Sequence, residues 1–120
     1  MHHRLVHVSF VFSGPWKVQE LEPTFTAIGD DWIRYSAINW ILWTSKPIPH
    51  IATLLEPHLL PPDQVLIATL GDEFFGRLQP WIFAWINQKR PDLPLLTQQQ
   101  AARAAMLPAS AFDPHNPQNY

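Results

Sequence analysis

Apolar and polar residues alternate along Leu5-Val6-His7-Val8-Ser9-Phe10-Val11-Phe12, a period of two that predicts a strand. Val6, Val8, Phe10 and Phe12 share one face; Leu5, His7, Ser9 and Val11 share the other. Ser13-Gly14-Pro15 closes this strand with turn chemistry. The period then changes: Val18, Leu21, Phe25 and Ile28 recur at helical spacing and predict a helix over 19–28, with Gly29 as its C-terminal cap. Pro23 falls inside that stretch. A proline costs a helix interior about 3 kcal/mol, so the regular helix is expected to begin near Glu22.

The run 32–43 is twelve residues rich in β-branched and aromatic types, without Gly or Pro. It exceeds the usual strand of about 5–6 residues, which predicts two strands, 32–36 and 39–44, folded back near Ser36 and Ile38. Ser45-Lys46-Pro47-Ile48-Pro49 ends the pair and opens a helix over 50–59 with Ile51, Leu54, Leu55 and Leu59 as its stripe. Pro61-Pro62 stop it, and the almost continuous apolar run 65–70 predicts a strand covered on at least one face. After the turn Gly71-Asp72-Glu73, a third helix is expected over 80–88, started by Pro80 and ended by Pro91.

The order βαββαβ predicts an α+β, ferredoxin-like domain: an antiparallel sheet with helices on one face, plus an extra C-terminal helix. The domain is expected over 1–90. An extension over 91–120 would hold a short Ala/Gln helix at 97–106, capped by Thr97, and a flexible tail over 108–120.

Composition refines this picture. The chain has 120 residues, a single-domain size. Charged residues make up 15%, against roughly 25% in ordinary soluble domains. With six Trp and seven Phe, some aromatic surface is left over for an interface, and self-association is the commonest kind. A net charge of −2 and scattered Lys and Arg argue against a basic nucleic-acid grip. No cysteine is present, which excludes a disulfide framework, a thiolate metal site and a cysteine nucleophile, and fits a cytoplasmic protein. No apolar stretch reaches the roughly 18 residues of a membrane span and no signal-peptide core is evident, so neither export nor membrane insertion is expected.

Candidate chemistry is sparse. Asp30-Asp31 and Asp72-Glu73 are the adjacent acids. Asp31, Asp30 and Asp72 are thus the candidate catalytic carboxylates or metal ligands, set against a reading as solvated turns. His7, His50 and His58 lack the i, i+4 spacing with which two histidines grip zinc and read as ordinary polar or partly buried residues. Neither a nucleophile elbow nor a phosphate-cradling glycine loop is present. Trp32, Tyr35, Trp40 and Trp43 lie on the strand pair, as in sheets that stack single-stranded bases, with Arg34 and Lys46 as the nearby cations. The competing reading is core and dimer interface. Trp81 and Trp85, at i and i+4, are expected to pack on the sheet or on a partner.

Gly29-Asp-Asp-Trp32, Asn39-Trp-Ile-Leu-Trp43, Leu55-Glu-Pro-His-Leu59 and Asp63-Gln-Val-Leu-Ile-Ala-Thr-Leu70 resemble the small bacterial proteins described as SinR-like. Those are similar in fold to the CRISPR-associated adaptation endoribonuclease and to VapD-type nucleases. The resemblance implies a ferredoxin-like protomer whose sheet pairs with a second copy. In the nuclease relatives an acidic residue ends the first strand and two such carboxylates hold a divalent metal. Here Ser13 stands at that position, and a neutral hydroxyl is a poor Mg²⁺ ligand. The expectation is therefore a non-enzymatic homodimer without a cofactor. It would bind a protein partner or serve a toxin–antitoxin or phage-defence setting. The alternatives are a metal-dependent endoribonuclease using Asp30, Asp31 or Asp72, and a single-stranded nucleic-acid binder using Trp32, Trp40 and Trp43.

Overall fold

The structure, a computed structural model, describes residues 2–14 and 18–93. Strand β1 spans Arg4–Val11 and helix α1 Val18–Ile28. The strand pair is β2, Asp31–Ser36, and β3, Asn39–Thr44. Helix α2, Ile48–Leu55, runs into a 3-10 turn over Glu56–His58, so the helix expected to reach 59 tightens after one pitch less. Strand β4, Gln64–Leu70, and helix α3, Pro80–Lys89, complete the described chain. Helix α1 starts earlier than Glu22 and keeps Pro23 in its interior, where the ring faces solvent. The helical face made by Leu21, Phe25 and Ile28 is fully buried, and that burial outweighs the lost hydrogen bond.

The strands form one antiparallel sheet in the order β2-β3-β1-β4, the arrangement of a ferredoxin-like α+β fold. Register sets the faces. Val8 lies opposite Trp40 on one side and Ile67 on the other. Val6, Val8, Phe10, Trp32, Trp40 and Leu42 therefore share a face, packed against Leu21, Phe25 and Ile28 of α1 and Ile51 and Leu55 of α2. Phe25 stacks on Trp40 at 4.7 Å between ring centroids, and Phe10 meets the same indole edge-on at 5.3 Å.

Helices cover both faces rather than one. Leu5, Ile33 and Ile41, on the second face, pack against Trp81, Ile82, Phe83, Trp85 and Ile86 of α3. Three strands each present an apolar residue there, and α3, apolar around much of its girth, supplies the cover. Leu93 is buried in the same cluster, so the packed unit extends past residue 90. The helix expected over 97–106 and the tail over 108–120 lie outside the described residues.

Helix α1 is handed to β2 by a tight junction. Thr44 Oγ1 donates to the Ile28 carbonyl at 2.9 Å, capping a helix end that would otherwise be buried unsatisfied. The Asp30 N–H donates to the Trp43 carbonyl at 2.9 Å. Gly29 sits in this crossing; a Cβ there would lie 3.0 Å from the Asp31 carbonyl oxygen and 3.4 Å from Leu42 Cδ2. Among the described residues no helix is long and apolar enough to cross a membrane.

Candidate binding cavity and the fate of the acidic residues

The acids at the β2 and β4 ends serve first to fix α3. Asp31 Oδ2 accepts the Trp85 indole N–H at 3.0 Å and pairs with Lys89 Nζ at 2.8 Å. Its Oδ1 accepts the Trp32 N–H at 2.8 Å. Burial pushes this carboxyl up, but Lys89, Trp85 and the Trp32 N–H more than offset it and hold the group below its ordinary 3.8. Arg90, just past the end of α3, pairs with Asp72 at 2.7 Å and with Asp92 at 2.8 Å. Asp30, largely exposed, pairs with His3. Each sequence-proposed carboxylate is thus engaged by a different side chain. Among the described residues no three His, Cys, Asp or Glu gather in a metal-holding group.

The end of β1 does stand beside a carboxylate, though a distant one in sequence. Ser13 donates to Asp63 Oδ1 through both its N–H and its hydroxyl, each at 2.7 Å. The Leu60 N–H donates to Asp63 Oδ2 at 2.9 Å. The two Ser13 donors tie the turn before β4 to the end of β1, and the Leu60 N–H fixes the carboxylate within that turn. His58, read as an ordinary polar residue, bridges elements in the same way: Nδ1 meets Glu20 at 3.0 Å and Nε2 meets the Thr24 hydroxyl at 2.9 Å.

The tryptophans proposed for stacking or for an interface are mostly spent inside the protomer. Trp32 and Trp40 are 6% and 0% exposed beneath α1 and α2; Trp81 and Trp85, on α3 itself, are 4% and 6% exposed against the second face of the sheet. Trp43 is half-buried, with the His3 ring 5.5 Å away. Arg34, one of the two cations near the proposed platform, is buried with its guanidinium 5.9 Å over the Trp40 ring. A base needs an open ring face, and Trp32 and Trp40 offer none. Among the described residues the exposed large apolar side chains are instead Val11, Leu60, Leu66 and Phe75.

The second face also holds a cavity, and the strand alternation puts chemistry into it. His7 lies on the α3 side of β1, opposite Ile41 of β3 and Ala68 of β4. On β2 the register shifts between Arg34 and Ser36, a bulge with Tyr35 at its centre. Bulges re-aim side chains. Tyr35 reaches past β3, and its hydroxyl is hydrogen-bonded to His7 Nε2, the rings 5.7 Å apart. Around this pair, Ile41, Leu70, Phe74, Phe75, Leu78, Phe83 and Ile86 line an open-sided cavity of about 270 Å³. Burial lowers the His7 imidazole below its ordinary 6.5 and raises the Tyr35 phenol above its ordinary 10.0. Both groups are therefore neutral near pH 7.

Sequence reasoning passed over this pair. His7 was visible as a polar interruption of a face otherwise made for packing, and Phe74, Phe75 and Phe83 flank the turn into α3. The bulge that unites His7 with Tyr35 left no composition signal. No family model, curated protein or solved structure matches this chain.

Proposed function

We propose that this chain is a non-catalytic, ferredoxin-like protein that works as a homodimer, two copies joining along β4. The observation that carries this reading is the character of the sheet's two edges. Strand β2, at one edge, carries Asp31 and Arg34 and is bulged, devices that blunt strand addition. Strand β4, at the other, reads Gln-Val-Leu-Ile-Ala-Thr-Leu, without charge or proline, and pairs with β1 in unbroken register. Leu66 on this strand is 65% exposed, and Val11, diagonally beside it on the same face of the sheet, is 58% exposed. An edge of seven residues with free backbone groups and apolar neighbours is a template for another strand. A second copy, aligned antiparallel about a two-fold axis, satisfies both edges at once. The resemblance to sheet-pairing ferredoxin-like proteins points the same way, and Ser13 at the first-strand position supports the non-catalytic half.

Light scattering on the full chain tests it. A mass near twice 13.8 kDa is expected, and Leu66→Lys should return the chain to a monomer with unchanged circular dichroism, since that side chain is already exposed. A wild-type mass near 13.8 kDa at micromolar concentration would overturn the dimer. Metal-dependent cleavage of single-stranded RNA, lost in Asp31→Asn, would overturn the non-catalytic assignment.

A further inference from the structure

We propose that the cavity between the sheet and α3 is a binding site for a small, uncharged aromatic molecule bearing one hydrogen-bonding group, such as a phenol or an indole-like heterocycle. Size sets the first limit. An apolar cavity of about 150 Å³ suffices for benzene, and drug-sized ligands occupy pockets of roughly 300–1,000 Å³. At about 270 Å³ the cavity suits one ring or two fused rings and is too small for a nucleotide or a peptide.

The walls set the second limit. Phe74, Phe75 and Phe83 supply aromatic faces and edges, and Leu70, Leu78 and Ile86 fill between them. Offset and edge-to-face contacts with such rings favour an aromatic guest over an aliphatic one. None of the lining residues is Asp, Glu, Lys or Arg. A charged guest would surrender its hydration there without an ionic partner.

The floor sets the third. His7 and Tyr35 are the polar side chains of the lining. Their mutual bond uses one of the hydroxyl's three hydrogen-bonding positions, leaving others for a guest. With Tyr35 donating to Nε2, the phenolic oxygen can accept from a guest O–H or N–H; with the other tautomer, the hydroxyl can donate to a guest acceptor. Access comes from the rim, where Phe75 is 93% exposed. The site needs no second protomer, so it stands whether or not the chain dimerises.

Titration calorimetry with phenol, indole, toluene and benzoate tests the site on the full chain, on Tyr35→Phe and on Gly76→Leu. Gly76 is chosen because it lines the cavity and a Cβ there makes only ordinary contacts, with Leu78 Cδ1 at 3.5 Å and Phe83 Cζ at 3.8 Å, so the added leucine side chain is expected to take up guest space. Phenol and indole should bind saturably, phenol at least fivefold more tightly than toluene and at least tenfold more tightly than benzoate. Tyr35→Phe, which keeps the ring, should bring phenol down to the toluene level, and Gly76→Leu should abolish binding of all four while circular dichroism stays unchanged. Three results would each overturn the proposal: no saturable binding of phenol or indole at millimolar concentration, a phenol preference that survives Tyr35→Phe, or binding that survives Gly76→Leu.

Discussion

The two faces of this sheet are closed by different means. On the first, α1 and α2 lie over a continuous apolar layer centred on Trp40, with Phe10 and Phe25 in ring contact with it. On the second, α3 lies over Leu5, Ile33 and Ile41 and is held by polar ties: Asp31 to Trp85 and Lys89, and Arg90 to Asp72. The first face is sealed by packing, with the Thr44 cap on α1 and the His58 ties to Glu20 and Thr24 at its margin. The second leaves room, and the room holds the His7–Tyr35 pair. A face closed by close packing carries stability and has no space for a guest; a face closed by a latched helix trades some packing for a cavity.

The first face depends most on Trp40. Trp40→Ala should cost about 3–5 kcal/mol, the usual range for emptying a buried aromatic site, read as a lower urea midpoint. The partner substitution refines the prediction. The Trp40 indole N–H is buried without an acceptor among the described residues. An unsatisfied buried donor carries a desolvation cost of its own. Trp40→Phe should therefore be much milder than the loss of ring volume implies; a cost as large as that of Trp40→Ala would show that the N–H is satisfied after all.

On the second face the effects should be smaller and local. Trp85→Phe keeps one aromatic ring but removes part of the indole and its donor to Asp31, and Asp31→Asn removes the charge facing Lys89. Each should cost on the order of 1 kcal/mol, because the ion pair is partly exposed and screened. The two should be sub-additive in a double-mutant cycle, since both act on one carboxylate. Amide exchange should quicken in α3 and stay slow in α1 and β1; equal quickening on both faces would mean that the two are closed alike. Because Asp31 sits below its ordinary 3.8, its contribution is present above that pH and fades as the pH falls through the folded value. Asp31→Asn should flatten this acid limb.

What could be read in advance follows the same division. Alternation in 5–12 and the stripe Leu21, Phe25, Ile28 made the first face legible, since both elements must bury a single side. The side on which α3 docks was not legible. Trp81, Ile82, Phe83, Trp85 and Ile86 wrap around the helix and give no direction. The acids at 30, 31 and 72 were visible as acids, but Trp85 lies 54 residues from Asp31, and only the fold brings the two together. The same holds for Ser13 and Asp63, 50 residues apart. Counting aromatics against charge points to core and interface together; a sheet covered on both faces needs nearly twice the apolar cover and takes Trp32, Trp40, Trp81 and Trp85 inside.

The smallest effect, and the one most specific to the second face, concerns His7. Burial lowers its folded-state value below the ordinary 6.5. The unfolded chain therefore takes up the proton first as the pH falls, and stability should be full above about 6.5 and decline as the pH drops toward the folded value. The Tyr35 phenol, raised above 10.0 by burial, acts at the other end: stability should decline as the pH rises past 10 toward its folded value. The groups facing His7 are Tyr35 and the apolar cavity wall, and Arg77 lies beside Tyr35 in the adjoining hollow. Between pH 5 and 7 the slope of stability against pH should be positive in the wild type and weaker in His7→Phe. His7→Phe leaves His58 with Glu20 and His3 with Asp30 untouched, so the difference between the two curves isolates the second face. If the slope is unchanged in His7→Phe, the imidazole is solvated and the cavity is not the low-dielectric site its walls imply.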